Sequence, residues 1–178
     1  MAKKKTANVY CSYTRMENLD DLQPHEKNPN THTERQIKLL ANILLEQGWR
    51  APITVSNRSG FIVRGHGRLM AAREAGLTEA PVDYQDYDSE ASEIADMIAD
   101  NQIAELSSMD EDDLKDLIAE LEEEEFDLDL TGFDTVALDD LFFDADEEED
   151  DSGSGDGDAP ALPDRHVCPS CGCIFYDE

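Results

Sequence analysis

The stretch "GFIVRGHGRLMAAREAGL", Gly60 to Leu77, holds residue types that can cradle a phosphate. Gly65 and Gly67 permit backbone torsions closed to other residues and let an anion approach the chain. Arg68 can fork onto phosphate oxygens, and His66 can add a hydrogen bond. If a helix begins here, its first N–H groups are unpaired and lie at the positive end of its dipole, so a phosphate gains several donors together. The same spacing also suits an ordinary strand-to-helix turn. No G-x-x-x-x-G-K-[ST] is present, and a G-x-G-x-x-G dinucleotide pattern fails at Met70.

A second chemical signal is "HVCPSCGC", where a Cys-Pro-x-Cys-Gly turn points the thiolates of Cys168 and Cys171 at one zinc ion. Zinc takes four ligands. Cys173 and His166 can complete the set, as can Cys11 or another subunit. The opposing reading is a loose end carrying reduced thiols, with Cys11 a buried apolar residue.

The elements that must position these groups follow from periodicity. The stretch "LDDLQPHEKNPNTH" reads as a strand end and a turn-rich loop. A helix then opens at a Thr33/Gln36 capping box, carries Ile37, Leu40, Ala41 and Leu44 on one face, and stops at Gly48. "PITVS" and "GFIVR" read as strands joined by a turn, followed by a helix from near Arg68 to Gly76. "APVDYQDY" reads as a further strand with Pro81 at its first position. Ala91, Ile94, Ala95 and Ile98 form an apolar stripe on a helix that reaches "ADNQ". A fourth helix is expected from Ser108, with Glu111 as capping partner, burying Leu114, Leu117, Ile118 and Leu121. Trp49 is expected in the core.

Charge divides the 178 residues. Met1 to Arg73 carry twelve Lys/Arg against six Asp/Glu, a balance of +6, and the remainder carries −35 of the total −29. A basic half can meet phosphates, whereas the acidic half repels them or keeps the chain in solution. Its acidic run, Asp144 to Asp151, is either a solvated linker or an imitation of nucleic acid that folds back on the basic half. Three of the four cysteines cluster, "MAKKK" leads into polar residues, and no apolar run approaches the roughly 20 residues that cross a bilayer. These features lead to the expectation of a cytoplasmic protein, in a bacterium or a phage-infected host, with no membrane partner.

Four short motifs in order sharpen the reading. Asn28 and Pro29 stand in a loop, and Pro52, Ile53 and Val55 follow a helix. Gly65, Arg68 and Ala71 follow a strand, and Asp100 with Asn101 lie on a later helix. This set, over residues about 17 to 105, resembles the ParB/sulfiredoxin superfamily, in particular the ParB-like "nuclease" domains of phage and mobile elements. The resemblance implies an α+β (mixed α/β) domain that binds a nucleoside triphosphate. Asn28, Gly65, His66, Gly67 and Arg68 would meet the nucleotide, and Asp100 with Asn101 would lie near a Mg2+ ion. Mg2+ suits such a site because it takes hard oxygens from few protein groups and keeps substrate phosphates as the rest.

Three departures limit the resemblance. Gly67 stands where ParB proteins usually have a second arginine. Positions 65 to 68 lack the cysteine that sulfiredoxin needs. No basic helix-turn-helix follows, since "DEDDLKDLIAELEEEE" would be repelled by DNA, which disfavours sequence-specific centromere binding. The segment from "ADNQ" through "LTGF" resembles the region that follows this domain in phage proteins, ahead of a DNA methyltransferase.

The expected organisation is therefore a basic leader (1–16), the ParB/sulfiredoxin-like domain (17–105), a helical extension (106–143), a disordered acidic linker (144–164) and a zinc knuckle (165–178). The leading functional expectation is nucleotide binding in phage or mobile-element DNA transactions, with catalytic residues unassigned and nucleoside triphosphatase activity open. A metal-dependent DNA nuclease is the second, ranked lower because no dense carboxylate or histidine cluster is visible to hold two metals. A non-enzymatic adaptor that recruits a protein through its zinc tail is the third. Expected partners are the nucleotide, DNA at the basic half, and a second copy in a homodimer.

Overall fold

The protein is described by a computed structural model over residues 5–133 and 135–142, with the backbone alone of residues 143, 165–167 and 174–176. Two units are present, Met1–Ala145 and Asp146–Glu178. The first contains β1 (Arg15–Asn18), β2 (Gln23–Pro24), α1 (Glu34–Glu46), β3 (Ile53–Ser56), β4 (Phe61–Arg64), α2 (His66–Glu74) and β5 (Glu79–Gln85). It continues with α3 (Glu90–Glu105), α4 (Glu111–Glu123), a 3-10 turn (Leu128–Thr131) and α5 (Thr135–Phe143).

The sheet runs β1-β5-β3-β4-β2. β1 and β4 pair antiparallel with β5 and β3, while β3 pairs parallel with β5 and β2 parallel with β4. The β3–β5 pair is parallel because the chain returns through β4 and α2, placing Ile53 opposite Val82. α1 packs on α2. Ala41 and Leu44 from α1, and Leu69, Ala71 and Ala72 from α2, join Ile53, Val55, Ile62 and Val82 around the buried Trp49. Small side chains at 71 and 72, both 0% exposed, let α2 sit close on the sheet.

Residues 5–16 of the expected basic leader are part of this body. Lys5 bridges Leu77 and Val9 bridges Trp49, and Ala7, Val9 and Cys11 pack against the core. Burial pushes the Cys11 thiol above its ordinary pKa.

The mixed α/β architecture expected from the sequence is the one found, with several local differences. α2 starts at His66 rather than near Arg68, so His66 and Gly67 belong to its first turn. Thr33 caps α1 by accepting from the Gln36 N–H, but the Gln36 side chain reaches His32 instead of closing the capping box. Pro81 is the third residue of β5, opposite Met16, one position before the β3 pairing begins at Val82.

The apolar stripe expected on α3 is not the buried face. Glu93 and Met97 are buried instead, and Ile98 is 49% exposed, because polar side chains from the sheet meet this helix. α4 is capped by Asp110, which accepts from the N–H groups of Asp112 and Asp113, rather than starting at Ser108. It buries Ile118 alone, leaving Leu114 and Leu121 half-buried and Leu117 57% exposed.

In the second unit, Arg165–Val167 (β6) and Ile174–Tyr176 (β7) pair antiparallel, with His166 opposite Phe175. The acidic linker and the zinc residues Cys168, Cys171 and Cys173 lie outside the described residues, and of His166 only the backbone is described. Among the described residues no helix is long and apolar enough to cross a membrane.

Candidate functional site

Strand β4 ends at Arg64 and the chain turns at Gly65, whose φ of 93° is the left-handed conformation that suits glycine. No side chain caps α2, and its first internal hydrogen bond is from the Leu69 N–H to the Gly65 carbonyl. The N–H groups of His66, Gly67 and Arg68 are thus left at the positive end of the helix.

A cavity of about 170 Å3 opens on this turn. It gathers Gly65, His66, Gly67 and Arg68 from the turn, Asp100 and Asn101 from α3, and Asn28 from the loop after β2. All seven residues that the sequence assigns to nucleotide and Mg2+ come together here. Asn30, His32, Leu40 and Val63 complete the lining and were not anticipated. Asn28 and Asn30 belong to one local turn, since the Asn28 carboxamide oxygen accepts from the Asn30 N–H at 3.3 Å.

Arg68 is half-buried and donates from Nη1 to the Pro52 carbonyl, which spends one of its five donors on the backbone ahead of β3. Burial pulls its pKa down from the ordinary arginine value, with Asp100 pulling it back up. Arg64, absent from the sequence-based site, organises α3. Its Nε donates to Asp96 Oδ2 at 2.9 Å, and Nη1 lies 3.8 Å from Asp100 Oδ1. Hydrogen bonding to Arg64 holds the Asp96 carboxyl below its ordinary pKa. The same carboxylate accepts from the Tyr87 hydroxyl at 2.7 Å, whose pKa is raised by burial and by Asp96. Asn101 donates from its amide to the Met97 carbonyl at 3.0 Å, which leaves its side-chain oxygen as the open group.

The histidines form a chain behind the turn. His66 is 7% exposed, and its Nε2 accepts from the His25 N–H at 3.2 Å, so the neutral ring carries its proton on Nδ1. Burial, helped by His25 and His32, pushes its pKa down to about 4. It is therefore a neutral donor at pH 7. His25 accepts on Nδ1 from the Lys27 N–H at 3.1 Å and turns Nε2 toward Glu93 Oε1 at 3.7 Å. Glu93, 1% exposed, also accepts from the Ser56 hydroxyl at 2.9 Å and from Ser59, with the Arg58 Nη1 at 3.6 Å. A buried carboxylate this well partnered is a structural anchor.

Asp100 and the Asn101 oxygen are hard donors of the kind Mg2+ accepts when ligand phosphates supply the remainder. Among the described residues no three His, Cys, Asp or Glu side chains gather to hold a metal by themselves.

Comparison with known proteins bears on the fold and the family. The chain is 34% identical over 64 residues to the ParB-like nuclease domain-containing protein YnaK of Escherichia coli strain K12, covering 36% of this chain and 72% of that one. It is 34% identical over 95 residues to the probable chromosome-partitioning protein ParB of Rickettsia prowazekii strain Madrid E, 53% of this chain but 33% of that protein. The chain thus spans about a third of the length of that relative. The crystal structure of C-terminally truncated ParB from Caulobacter crescentus, complexed with CTP-gamma-S, shares the fold. Its TM-score is 0.58 at 22% identity, over 71% of this chain and 75% of that one.

The family model of the ParB-methyltransferase HTH domain matches residues 112–169. The match runs from the acidic extension through the acidic run to Cys168 and Pro169, so a helix-turn-helix family covers a stretch expected from the sequence to hold none, and it overlaps the methyltransferase-linked resemblance over residues 112–133. On the fold and the extent of the YnaK match, this chain belongs to the ParB-like nuclease domain family.

Proposed function

We propose that the cavity at Gly65 to Arg68 binds the phosphates of a nucleoside triphosphate together with Mg2+, and that the chain uses this binding in DNA transactions. One observation carries the reading: a single cavity at an uncapped helix start collects Asn28, the Gly65–Arg68 turn, Asp100 and Asn101 from three separate segments. The unpaired N–H groups, the remaining donors of Arg68 and the neutral His66 would hold the anion. Asp100 and Asn101 would hold the metal, which neutralises phosphate charge when bound.

The cavity's 170 Å3 is smaller than the roughly 300–1,000 Å3 that encloses a whole small molecule, so it is sized for the phosphate end, with base and sugar outside. The Caulobacter relative, complexed with CTP-gamma-S, makes CTP the first nucleotide to try. The finer parts of the reading rest on the sequence. These are a phage or mobile-element setting, DNA contact through the basic half, and a zinc knuckle at Cys168 and Cys171 that recruits a protein.

Calorimetric titration of the full chain with CTP, ATP and GTP in Mg2+ tests the proposal. Micromolar binding of one nucleotide, lost in Arg68→Ala, is expected. Binding that survives Arg68→Ala would refute the assignment of the turn, and absence of binding to all three would refute the nucleotide reading. The nuclease alternative, carried by the name of the E. coli relative, is tested by incubating DNA with the protein in Mg2+ or Mn2+.

A further inference from the structure

His32 lies just before α1, 35 positions from Gly67, yet its ring covers that glycine. A Cβ built on Gly67 would meet His32 Cε1 at 3.1 Å and both ring nitrogens at 3.4 Å. The edge of the imidazole that carries its polar atoms is therefore the edge laid over the first turn of α2. Gly67 has no positive φ, so the need for glycine here comes from this approach and not from the backbone.

The ring is also anchored: Nδ1 lies 3.1 Å from Gln36 Oε1, the contact that takes Gln36 away from its capping role. With Nδ1 donating to that amide oxygen, Nε2 is the nitrogen left open at the cavity wall. Among the described residues Gln36 is the side chain hydrogen-bonded to the ring, and His66 is an electrostatic neighbour.

We propose that His32 is a phosphate-binding residue of this cavity. Nε2 meets a phosphate oxygen through a proton supplied on binding by solvent or by the terminal phosphate, and Gly67 is glycine so that the ring can reach that place. The inference rests on the nucleotide reading above and adds a contact from the α1 side. The titratable and charged groups that share the cavity wall with the ring are His66 and Arg68 on α2 and Asp100 on α3. Of these, His66 stays neutral at pH 7, and Asp100 also lies 3.8 Å from Arg64 Nη1.

The test is calorimetric titration of the wild type, His32→Ala and the double variant His32→Ala/Gly67→Arg with CMP, CDP and CTP in Mg2+. Loss of one charge-assisted hydrogen bond should weaken CTP binding about tenfold or more in His32→Ala, with a smaller effect on CMP. The double variant, with the ring gone and a cation returned beside it, should recover part of the loss. CTP affinity unchanged in His32→Ala would overturn the inference while leaving the nucleotide reading intact. Equal losses for CMP and CTP would overturn it too, because the contact would not be with the phosphates. A wild type that binds no nucleotide would fail the parent reading instead.

A second measurement needs no substitution: the 15N resonance of His32 Nε2 should move to the protonated, hydrogen-bonded position as CTP is added. A resonance that stays fixed while CTP binds would overturn the proposal.

Discussion

Acid should destabilise this domain through His66 in a calculable way. The ring is 7% exposed and its pKa in the fold is about 4, below the ordinary 6.5, chiefly because burial disfavours the cation. A depressed histidine binds its proton in the unfolded chain before it does so in the fold, so stability is lost as pH falls from about 6.5 toward 4. A full shift of that size corresponds to about 3 kcal/mol, of which about 2 kcal/mol is lost by pH 5. The many carboxylates also respond to acid, with a net charge of −29 at pH 7 that relaxes on protonation. Comparison with His66→Gln removes that common background, since Gln accepts from the His25 N–H without titrating. Urea unfolding at pH 8 and pH 5 should show the wild type losing about 2 kcal/mol more than the variant between the two conditions. Parallel changes in the two proteins would refute the burial argument and with it the assignment of His66 as a neutral donor.

Other consequences follow from the same geometry. Glu93→Ala leaves the Ser56 and Ser59 hydroxyls, His25 and Arg58 without their acceptor and should cost about 3–5 kcal/mol in chemical denaturation. Gly65→Ala forces a side chain to φ 93° and places its Cβ 3.1 Å from Arg68 Nη1. It should cost about 1–3 kcal/mol of stability and weaken nucleotide binding in the titration described above. Arg64→Ala removes the partner that holds the Asp96 carboxyl down, so an NMR pH titration should find that carboxyl moved up toward its ordinary range. An Asp96 titration unchanged in Arg64→Ala would contradict the pairing.

Much of this protein was legible from residue order alone. Asn28, the Gly65 to Arg68 turn and the Asp100–Asn101 pair stood out because in that order they resemble the motifs of the ParB/sulfiredoxin superfamily, and the cavity unites them. The strands at Ile53–Ser56 and Phe61–Arg64 and the cap at Thr33 were likewise local matters of β-branching, turn chemistry and one side-chain acceptor.

What the sequence could not supply was every property that depends on a partner far along the chain. Helical periodicity on α3 selects Ala91, Ile94, Ala95 and Ile98. The fold buries Glu93 because Ser56, Ser59, Arg58 and His25, 34 to 68 residues earlier, surround it with hydrogen-bond donors. Arg64 reads as the last residue of a strand until α3 brings Asp96 and Asp100 beside it. His32 reads as a loop residue until α1 and α2 pack and lay its ring on Gly67. Local chemistry is written in neighbours, so the sequence determined the turn and the donors proposed to meet a phosphate. Burial and charge pairing are sums over the whole packed body, so only the tertiary structure decided which acids are anchors, which histidine is neutral and which two line the cavity.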